Sequence, residues 1–524
     1  MIDLAPEQLA IVRRLLATHV PECEVRAFGS RVAWTAKAHS DLDLALVGQG
    51  KIATSKLRRL REAFEESGLS VRVDLIDWNA ISPGFQKVIE PRYEVLQKAA
   101  KVSASRDEWE VLPLGELTEN FDGRRVPVKE LERKPGPYPY YGASGIVDHV
   151  DGYLFDGEYL LIGEDGENLR TRQTPIAFMA RGKFWVNNHA HIVRGNHRAD
   201  TRFLNYVLSQ TDISGYLTGS TMPKLTQGNL NRLPVIAPPL AEQKAIAAVL
   251  GALDDKIECN RRMNATLEAM ARALFQNWFV DFEPVRAKLD GRQPLGLDPA
   301  TAALFPEHVE DSPLGKKPNG WQVTTLDNVL AVLETGGRPK GGVGGITSGV
   351  PSIGAESIVS VGMFDFGKTK FVPVEFYQGM KKGHIESHDV LLYKDGGRPG
   401  EYEPHVSMFG DGFPFEKCSI NEHVYRLRTN EHLSQEYLYF WMTSEFAFAE
   451  MRIKGTGVAI PGLNSTAVRS LGVLVPPHPI LEAFTKQAAP LVTRILSNAK
   501  QSRTLATLRD TLLPKLLSGE LSIN

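Results

Sequence analysis

Two stretches of this sequence, PKLTQGNLNRLPVIAPP at Pro223–Pro239 and PGLNSTAVRSLGVLVPP at Pro461–Pro477, match each other at a constant numbering offset of 238. Leucines, a valine and the closing Pro-Pro pair align without a gap, and the same register continues into the segment that follows each stretch. Chance is a poor explanation for an ungapped match of this length, so we infer an internal repeat. The repeat decides the architecture, because each copy is expected to form the same structural unit.

A second register relates the regions upstream of these stretches. Its offset is 212, and it aligns Trp109 with Trp321, Pro139 with Pro351 and Gly142 with Gly354. Because 238 exceeds 212 by 26, we expect a single insertion of this length in the middle of the later copy. We call residues 106–240 the first copy and residues 321–477 the second copy. Short β-type runs cut by Gly and Pro predict a mixed α/β domain in each.

A long helical segment follows each copy, at 241–283 and at 478–524. Apolar residues recur in both segments at alternating spacings of four and three. A period of 3.5 residues over this length predicts a coiled-coil seam rather than an ordinary amphipathic helix.

Polar residues interrupt both seams at matching positions. They are Asn260 and Asn264 in the first seam, and Asn498 and Ser502 in the second. Polar groups in a seam reduce stability but fix the register, so we predict that the two helices pair with each other here. The alternative, two unrelated core helices, does not explain why the polar positions match. Pro514 predicts a kink or break near the end of the second helix.

Antiparallel pairing of these helices would create a pseudo-two-fold axis and hold the two copies at a fixed separation. A helix of about 40 residues is about 60 Å long, which corresponds to about 17 base pairs of DNA. Such a spacing suits a target that is bound as two half-sites. Residues 284–320 are dense in Pro and Gly and predict an ordered but irregular linker. The predicted fold class is therefore α+β.

Several of these segments resemble a known family. The W-x-x-x-x-L opening at Trp109 and Leu114, PYYGASGI, LTQGNLNRLPVIAPPLAEQKAIAAVL and the ending LRDTLLPKLLSGEL are similar to specificity subunits of type I restriction-modification systems. The resemblance covers 106–524 and implies two target-recognition domains, each binding one half of a bipartite double-stranded DNA target. It implies assembly with two methyltransferase (M) subunits and with restriction (R) subunits. In that family the specificity subunit is not catalytic, and the partner subunits use S-adenosylmethionine and ATP.

The composition allows this interpretation without requiring it. The chain has 524 residues, enough for three or four domains at about 150 residues each. Lys plus Arg (60) nearly balance Asp plus Glu (62), which excludes a uniformly basic protein but not a local basic surface. Three widely spaced cysteines favour neither a disulfide framework nor a structural zinc site. The absence of a long apolar run and of a signal pattern predicts a cytoplasmic protein without a membrane partner.

Candidate DNA contacts occur in both copies. Residues 167–202 are basic and follow an acidic stretch, and this segregation predicts a local basic surface. The loop at 219–224 and its predicted counterpart at 454–457 add polar side chains. The candidates are Arg170, Arg172, Arg181, Lys183, Ser220, Thr221, Lys224, Arg338, Lys340, Lys381, Lys382 and Lys454. For each of them the alternative is a solvated surface charge. The counterpart of His189 and His191 in the second copy is Glu422-His423, and both histidines are interpreted as strand-surface residues, since no further metal ligand accompanies them.

The repeat leaves residues 1–105 unexplained, and these contain a different motif. Gly29-Ser30 is followed, after ten residues, by Asp41-Leu42-Asp43. In the strand-like run SDLDLALV, a period of two places both carboxylates on one face and the leucines in a core. A second β-type run, VRVDLID, supplies Asp74, with Asp77 as a competitor for the same role. Three carboxylates on adjacent strands are the hard oxygen ligands that Mg²⁺ prefers.

This pattern, G-S-x10-D-x-D with a later Asp, resembles the minimal nucleotidyltransferases of the polymerase-beta superfamily, including the antitoxin-type domains. The match covers about 1–100 and implies an α/β domain that uses an NTP and Mg²⁺. By this resemblance Gly29 and Ser30 bind the triphosphate, while Asp41, Asp43 and Asp74 bind the metal and form the catalytic site. The alternative is a catalytically silent domain that is kept for binding.

Two hypotheses on function follow. In the first, the chain is the DNA specificity subunit of a type I restriction-modification complex. In the second, residues 1–105 transfer a nucleotide to a hydroxyl of a protein or nucleic acid, and the repeat directs this enzyme to its target. The sequence leaves open whether the chain is an enzyme, and both functions can coexist.

Overall fold

The computed structural model describes residues 2–21, 23–37, 40–48, 52, 54–98, 109–457 and 460–523. The chain divides into two units, one formed by Met1–Leu250 with Leu512–Asn524 and the other by Gly251–Thr511. Each unit is described by itself below.

The N-terminal domain of the first unit is a four-stranded sheet with helices packed on it. Its strands are β1 (Glu24–Phe28), β2 (Leu42–Val47), β3 (Val73–Asp77) and β4 (Glu94–Gln97), and its helices are α1 (Pro6–His19), α2 (Ser30–Ala33), α3 (Thr54–Glu65) and α4 (Pro83–Ile89). The strand order is β3-β2-β1-β4, with β2 and β3 parallel and the other pairs antiparallel. Leu42 and Leu44 are buried and Asp43 between them is not, so the predicted alternation along β2 is confirmed.

The first copy, also in this unit, is built on a six-stranded sheet. The described part of the first copy contains eight strands, six of them in this sheet, and they are β5 (Glu110–Pro113), β6 (Thr118–Asn120), β7 (Pro135–Gly142), β8 (Gly145–Val150), β9 (Phe155–Gly163), β10 (Ala177–Val186), β11 (Ala190–Gly195) and β12 (Pro234–Ala237). Its helices are α5 (Leu114–Leu117), α6 (Asn168–Thr171), α7 (Thr201–Gln210), α8 (Gln227–Asn231) and the long α9 (Leu240–Phe275). The sheet order is β6-β11-β9-β10-β7-β8, and β12 pairs separately with β5.

The segment between the copies is more regular than the predicted irregular linker. It contains α10 (Glu283–Leu289), α11 (Pro299–Ala303) and a hairpin of β13 (Val309–Ser312) and β14 (Gly315–Pro318). Proline near the start of both short helices explains this, since proline suits the first helical turn. Phe305 is buried against Trp278 and Trp321, which attaches the segment to the core of the second unit.

The second copy lies in the second unit. Its strands are β15 (Gln322–Thr325), β16 (Leu330–Thr335), β17 (Val350–Ile353), β18 (Lys370–Val372), β19 (Asp389–Tyr393), β20 (Gly397–Arg398), β21 (Glu401–Tyr402), β22 (Val406–Phe409), β23 (Ser419–Ile420), β24 (Val424–Thr429) and β25 (Gly472–Val475). Its helices are α12 (Leu326–Val329), α13 (Val374–Gly379), α14 (Gln435–Met442), α15 (Glu445–Lys454), α16 (Ser465–Arg469) and the long α17 (His478–Leu517).

The two copies use the same strand pairings in the same register. In the first copy β11 pairs with β9, and His191 lies opposite Ile162. In the second copy β24 pairs with β19, and Tyr425 lies opposite Leu392. The offset between the copies is thus 230 along one strand and 234 along the other. The prediction of a single insertion is therefore wrong, since the added residues enter in steps at several connections between strands.

The helices α9 and α17 pair in antiparallel orientation within the second unit, as predicted. Asn498 Nδ2 donates to Asn264 Oδ1 at 2.9 Å. The contact related to it by the pseudo-two-fold is 3.2 Å long and joins Asn260 Nδ2 to Ser502 Oγ. Asn260 and Asn498 are both buried. The predicted pairing at the polar seam positions is therefore confirmed.

Helix α17 continues through Pro514, so the predicted kink or break does not interrupt the helix. Leu513 and Leu516 are buried in the core of the first unit, together with Ile246 and Leu250 of α9. This packing outweighs the loss of one backbone hydrogen bond at the proline.

The end of the repeat lies against its beginning in the first unit. A Cβ built on Gly519 would approach the indole of Trp109 to 3.3 Å, and that indole donates to Glu242 at 3.3 Å. None of the described helices combines the length and apolar character that crossing a bilayer requires.

Candidate nucleotide site and DNA-facing residues

A glycine and two aspartates meet at the predicted nucleotide site. Asp43 on β2 lies opposite Phe28 on β1 and opposite Asp74 on β3. Gly29 directly follows β1 with a φ of +79°, and a Cβ built on it would lie 2.3 Å from Asp43 Oδ2. Gly29 is therefore needed both for its left-handed backbone and for the space it leaves beside Asp43. Ser30 directly follows Gly29 and is the first residue of α2, the short helix that precedes the loop leading to β2.

A buried arginine that had no predicted role shapes this loop. Arg31 Nε and Nη2 donate to the carbonyl oxygen of Ser40 at 3.0 and 2.7 Å, and Nη1 donates to the carbonyl oxygen of Asp3 at 2.8 Å. Ser40 directly precedes Asp41. The Arg31 side chain thus holds Ser40, the residue before Asp41, beside the start of α2. The position of Arg31 directly after Gly29-Ser30 is the feature of the sequence that could have indicated a role for it at this site.

The three aspartates influence one another electrostatically. Burial raises the pKa of Asp43, and the negative charges of Asp74 and then Asp41 raise that pKa further. A divalent cation would relieve this repulsion. Among the described residues, however, no three side chains of the metal-binding types are grouped closely enough to hold an ion as they stand. The metal-binding role of the three aspartates therefore remains a prediction.

Asp77 does not compete with Asp74 for this role. Its carboxylate accepts hydrogen bonds from the backbone N–H groups of Ile52 at 2.9 Å and of Asn79 at 3.0 Å. The Asp77 side chain is buried, and it lies three residues beyond Asp74, on the other face of β3. Of the two alternatives left open by the sequence, the geometry favours Asp74.

Two predicted DNA contacts of the first copy support a loop instead of projecting freely. Arg170 Nη2 donates to the carbonyl oxygens of Gly219 and Ser220 at 3.0 and 3.1 Å. Lys224 forms an ion pair with Glu164 at 3.1 Å. Since both cations have protein partners, their presence alone does not indicate a DNA surface. Ser220 and the neighbouring Thr221 are exposed in this loop.

The other candidates of the first copy also have partners, which the sequence could not show. Arg172 donates to the carbonyl oxygens of Ser209 and Thr211, Arg181 lies 3.4 Å from Glu158, and Lys183 lies 4.5 Å from the ring centroid of Tyr153. The Lys183 pKa is raised, first by the hydrogen bond and charge interaction with Tyr153. Arg181 and Lys183 lie on β10 and remain about half exposed or more, so DNA can still reach them.

The candidates of the second copy divide into two groups. Arg338 pairs with Glu422 at 2.5 Å, and Lys454 Nζ donates to the carbonyl oxygen of Ser470 at 2.7 Å. Lys454 therefore stabilises the contact between α15 and α16. Lys340, Lys381 and Lys382 are exposed. The structure thus leaves these three lysines as the more accessible candidates of this copy.

The loop at 219–224 has a different counterpart from the one predicted. In the first copy Thr218 and Lys224 exchange backbone hydrogen bonds of 2.8 and 2.7 Å, and in the second copy Thr456 and Gly462 exchange bonds of 2.9 and 2.8 Å. The equivalent loops are therefore 218–224 and 456–462, and the predicted counterpart at 454–457 was placed too early. Lys454 belongs to α15 and not to this loop. We call 218–224 and 456–462 the paired loops.

His191 is buried, so its predicted strand-surface role is wrong. Its Nδ1 lies 2.6 Å from Asp122 Oδ2, and its Nε2 lies 2.7 Å from the carbonyl oxygen of Leu225. Burial alone would raise the pKa of Asp122, but the hydrogen bond and charge of His191 outweigh it and lower that pKa. In the second copy Tyr425 takes the same place and donates to the carbonyl oxygen of Leu463 at 3.2 Å. The histidine is therefore a buried link between β11 and the segment after the paired loop.

Family models match two parts of the chain. Residues 21–100 match the family described as polymerase beta, nucleotidyltransferase. Residues 106–269 match the type I restriction modification DNA specificity domain.

Individual relatives and one solved structure resemble the same two parts. The type I restriction enzyme MjaIX specificity subunit of Methanocaldococcus jannaschii is 25% identical over 460 residues, which cover 83% of this chain and 99% of that protein. The probable protein adenylyltransferase MntA of Haemophilus influenzae is 45% identical over 100 residues, which cover 19% of this chain and 88% of that protein. The crystal structure of a type I restriction-modification specificity subunit from M. genitalium aligns with a TM-score of 0.51 and 15% identity over 80% of this chain and 97% of that one. This last similarity concerns the fold alone.

Proposed function

We propose that this chain binds a bipartite DNA target with its two copies. The chain belongs to the type I restriction-modification specificity subunits and begins with a domain of the polymerase-beta nucleotidyltransferase family. The single observation that supports two half-site readers best is the internal symmetry. Strand pairing and the hydrogen bonds that close the paired loops are the same in both copies, whereas side chains at matching positions differ, as at Lys224 and Gly462. A common scaffold with different surfaces suits the recognition of two different half-sites.

The partners of this complex follow from the same proposal. Each copy and its share of the seam would present an equivalent surface to a methyltransferase subunit, so two such subunits are expected. Restriction subunits would complete the assembly. The partner subunits would use S-adenosylmethionine for methyl transfer and ATP for translocation and cleavage, and this chain would supply the DNA sequence preference.

Side chains that differ between the copies are the better candidates for base contacts. Arg181 and Lys183 lie on β10, whose place in the second copy is taken by the shorter β22 and β23. Lys381 and Lys382 follow α13, in the longer second copy. Such copy-specific cations can donate to guanine O6 and N7 in the major groove, whereas cations near the sheet edges can bind phosphate.

A methylome comparison tests this function. The full chain would be expressed with its cognate methyltransferase subunit in a host that lacks other adenine and cytosine methylation, and methylated sites would be mapped by sequencing. We expect one bipartite motif with a fixed gap. Replacing 321–477 with the corresponding domain of a relative should change one half of the motif, and replacing 106–240 should change the other half. A motif in which both halves change in either chimera would contradict the two-reader proposal.

A second function, nucleotide transfer by the N-terminal domain, is supported by the close approach of Gly29 to Asp43. In this proposal Gly29 and Ser30 bind the triphosphate, and Asp41, Asp43 and Asp74 hold Mg²⁺, which would neutralise phosphate charge. Arg31 would act as a positioning residue, because it donates to the carbonyl oxygen of Ser40, the residue before Asp41. The acceptor would be a hydroxyl group on a protein or nucleic acid.

Labelled nucleotide transfer tests this second function. The full chain would be incubated with each α-labelled NTP, Mg²⁺ and a lysate of the source organism. Asp43→Asn should abolish labelling, whereas Glu62→Gln, on the exposed side of α3, should not. Labelling that survives Asp43→Asn would show that the label does not arise at this site. The absence of transfer by the wild-type chain with any NTP would leave a binding role for the domain.

A further inference from the structure

One aspartate–histidine pair occupies the same place in both copies. In the first copy both carboxylate oxygens of Asp165 lie 2.9 Å from Nδ1 of His189. In the second copy Asp395 Oδ2 lies 2.6 Å from Nδ1 of His423. The two sequence registers, at offsets of 212 and 238, do not align these side chains, because the offset is 230 between the aspartates and 234 between the histidines. The strand pairing establishes that His423 is the counterpart of His189 and that Asp395 is the counterpart of Asp165.

The backbone around the two pairs is also the same. Glu164 N–H donates to the carbonyl oxygen of His189 at 2.8 Å, and Lys394 N–H donates to that of His423 at 3.0 Å. In both copies an asparagine two residues earlier accepts from the histidine N–H, at 2.8 Å in the first and 2.9 Å in the second. These bonds hold the turn without help from the imidazole. The turn therefore does not require a histidine side chain.

Each pair lies beside a paired loop. Gly166 N–H donates to the carbonyl oxygen of Pro223 at 3.1 Å, and Gly396 N–H donates to that of Pro461 at 2.8 Å. The residue that follows each aspartate thus contacts a paired loop, and the loop of the first copy was predicted to face DNA. Each pair is therefore adjacent in the fold to the end of a paired loop, at Pro223 or at Pro461.

Both pairs are accessible to solvent. The side chains of His189 and His423 are 52% and 42% exposed, and those of Asp165 and Asp395 are 21% and 23% exposed. An ion pair with this exposure contributes at most about 1 kcal/mol to stability. Folding alone therefore gives little reason for the same pair to occur in both copies.

The geometry of the pair prepares the imidazole to bind an anion. A carboxylate only accepts hydrogen bonds, so Nδ1 carries the hydrogen and Nε2 is left for another partner. When the ring carries a hydrogen on both nitrogens, Nε2–H can donate a charge-assisted hydrogen bond to an anion. In the second copy Glu422 Oε1 lies 3.5 Å from His423 Nε2, but Arg338 pairs with that carboxylate at 2.5 Å and balances its charge.

We propose that His189 and His423 are a matched pair of DNA-backbone contacts, each donating from Nε2 to a phosphate oxygen. This inference rests on the proposed DNA-binding function. The two copies differ at neighbouring positions, with Asn188 in place of Glu422 and Lys224 in place of Gly462. A contact that both copies share cannot distinguish two different half-sites. The phosphate backbone is the part of DNA that is the same in both, so the shared contact positions the protein while copy-specific residues select bases.

The test measures DNA binding by the full chain in complex with its methyltransferase subunit, at several salt concentrations, together with the methylated motif. The variants are His189→Ala, His423→Ala, the double variant, and His189→Arg, which keeps a cation. We expect each alanine variant to bind about tenfold more weakly. The slope of log K against log salt is negative, and its magnitude should decrease by about 0.9 for each lost phosphate contact, while the methylated motif stays unchanged. His189→Arg should restore most of the slope. His197→Ala, another exposed histidine of the first copy, is the matched control and should leave the slope unchanged.

Several results would overturn the inference. An unchanged salt slope in both alanine variants would show that neither histidine contacts phosphate, and an altered half of the motif would show base contact instead. An equal loss of slope in His197→Ala would show that the effect is not specific to the pair. If His189→Ala reduces folding, His189→Gln provides the same measurement with a neutral side chain of similar reach. A wild-type complex that methylates no bipartite motif would refute the proposed function itself, whereas a wild-type motif with unaffected variants would refute only this inference.

Discussion

The first and second copies each place an acidic residue beside β11 or its counterpart β24, but neutralise it differently. Asp122 in the first copy accepts from Ile192 N–H at 2.9 Å and contacts His191 at 2.6 Å. In the second copy Glu334 lies opposite Arg426 and accepts from its Nη1 at 2.9 Å, at the position that Phe121, the residue before Asp122, has in the first copy. Arg426 occupies the position of Ile192, since β24 and β11 share one register.

This difference shows which features of the scaffold are fixed. Backbone pairing is the same in both copies, but the acid lies one residue earlier in the second copy than in the first. The cation that faces the acid comes from different residues, and an isoleucine in one copy corresponds to a buried arginine in the other. Buried ion pairs can therefore be exchanged between copies as long as each charge keeps a partner, because an unpaired buried charge is strongly unfavourable.

Removal of the buried arginine should have the largest effect. Arg426→Met leaves Asp389, which is fully buried, with Arg428 as its remaining cation, and we expect the free energy of unfolding of the second copy to fall by about 3 kcal/mol. Ile192→Met at the matching position of the first copy should cost less than about 1.5 kcal/mol. Hydrogen exchange of β24 and β11 measures the two effects separately. Equal costs would show that the buried charge network does not distinguish the copies.

Substitutions in the seam should have an intermediate effect, and they test its two-fold symmetry. Asn498→Ala removes the donor to Asn264 Oδ1, and we expect a cost of about 1–3 kcal/mol in the second unit. Ser502→Ala removes the symmetry-related contact, but Asn260 Nδ2 keeps Gln501 Oε1 at 2.9 Å, so a cost of about 0.5–1 kcal/mol is expected. Chemical denaturation of both variants is the measurement. A larger cost for Ser502→Ala would contradict the hydrogen-bond assignment.

A change of pH should have the smallest effect and should act on the two copies in opposite directions. Burial raises the pKa of Asp122, but His191, the Ile192 N–H and Arg125 lower it overall, so the stabilisation is present above about pH 3.9 and is lost as the pH falls through the lower folded-state value. The hydrogen bond to Glu436 raises the pKa of His388 in the second copy against the effect of burial. That stabilisation is complete below about pH 6.5 and is lost as the pH rises through the higher folded-state value. Hydrogen exchange of each copy from pH 3 to 9 would show the two trends, and parallel trends would contradict them.

The sequence predicted those parts of the molecule in which identical residues recur at a fixed spacing. The stretch beginning at Pro223 and the polar seam positions belong to this group, whereas the Gly-Ser and Asp-x-Asp motif occurs once and was found from its resemblance to a known family. The sequence placed the counterpart of His189 and His191 at Glu422-His423 but did not reveal the registers along whole strands, because the strands are short and share few identities; His191, for example, corresponds to Tyr425. Several small insertions between the strands conceal the relation further.

The partners of the charged candidates were likewise hidden in the sequence. Lys224 and Glu164 lie far apart along the chain, as do Arg338 and Glu422, yet each forms an ion pair. Only the fold brings such residues together, so a basic stretch in the sequence overestimates the free positive surface. The Asp165–His189 pair shows the converse case, since a site overlooked in the sequence became apparent through its duplicate.

The contact of Gly519 with Trp109 gives the repeat a circular topology. The chain leaves the first unit after Leu250 and returns to it at Leu512, so the last helix ends where the first copy starts. On such a closed circuit the packing does not dictate where the polypeptide is opened. A circular permutant that joins 519 to 109 through a short connector and opens within the 284–320 segment would preserve every strand pair of both copies. The order in which the two copies are encoded is thus a property of the gene, and the folded repeat has no intrinsic first half.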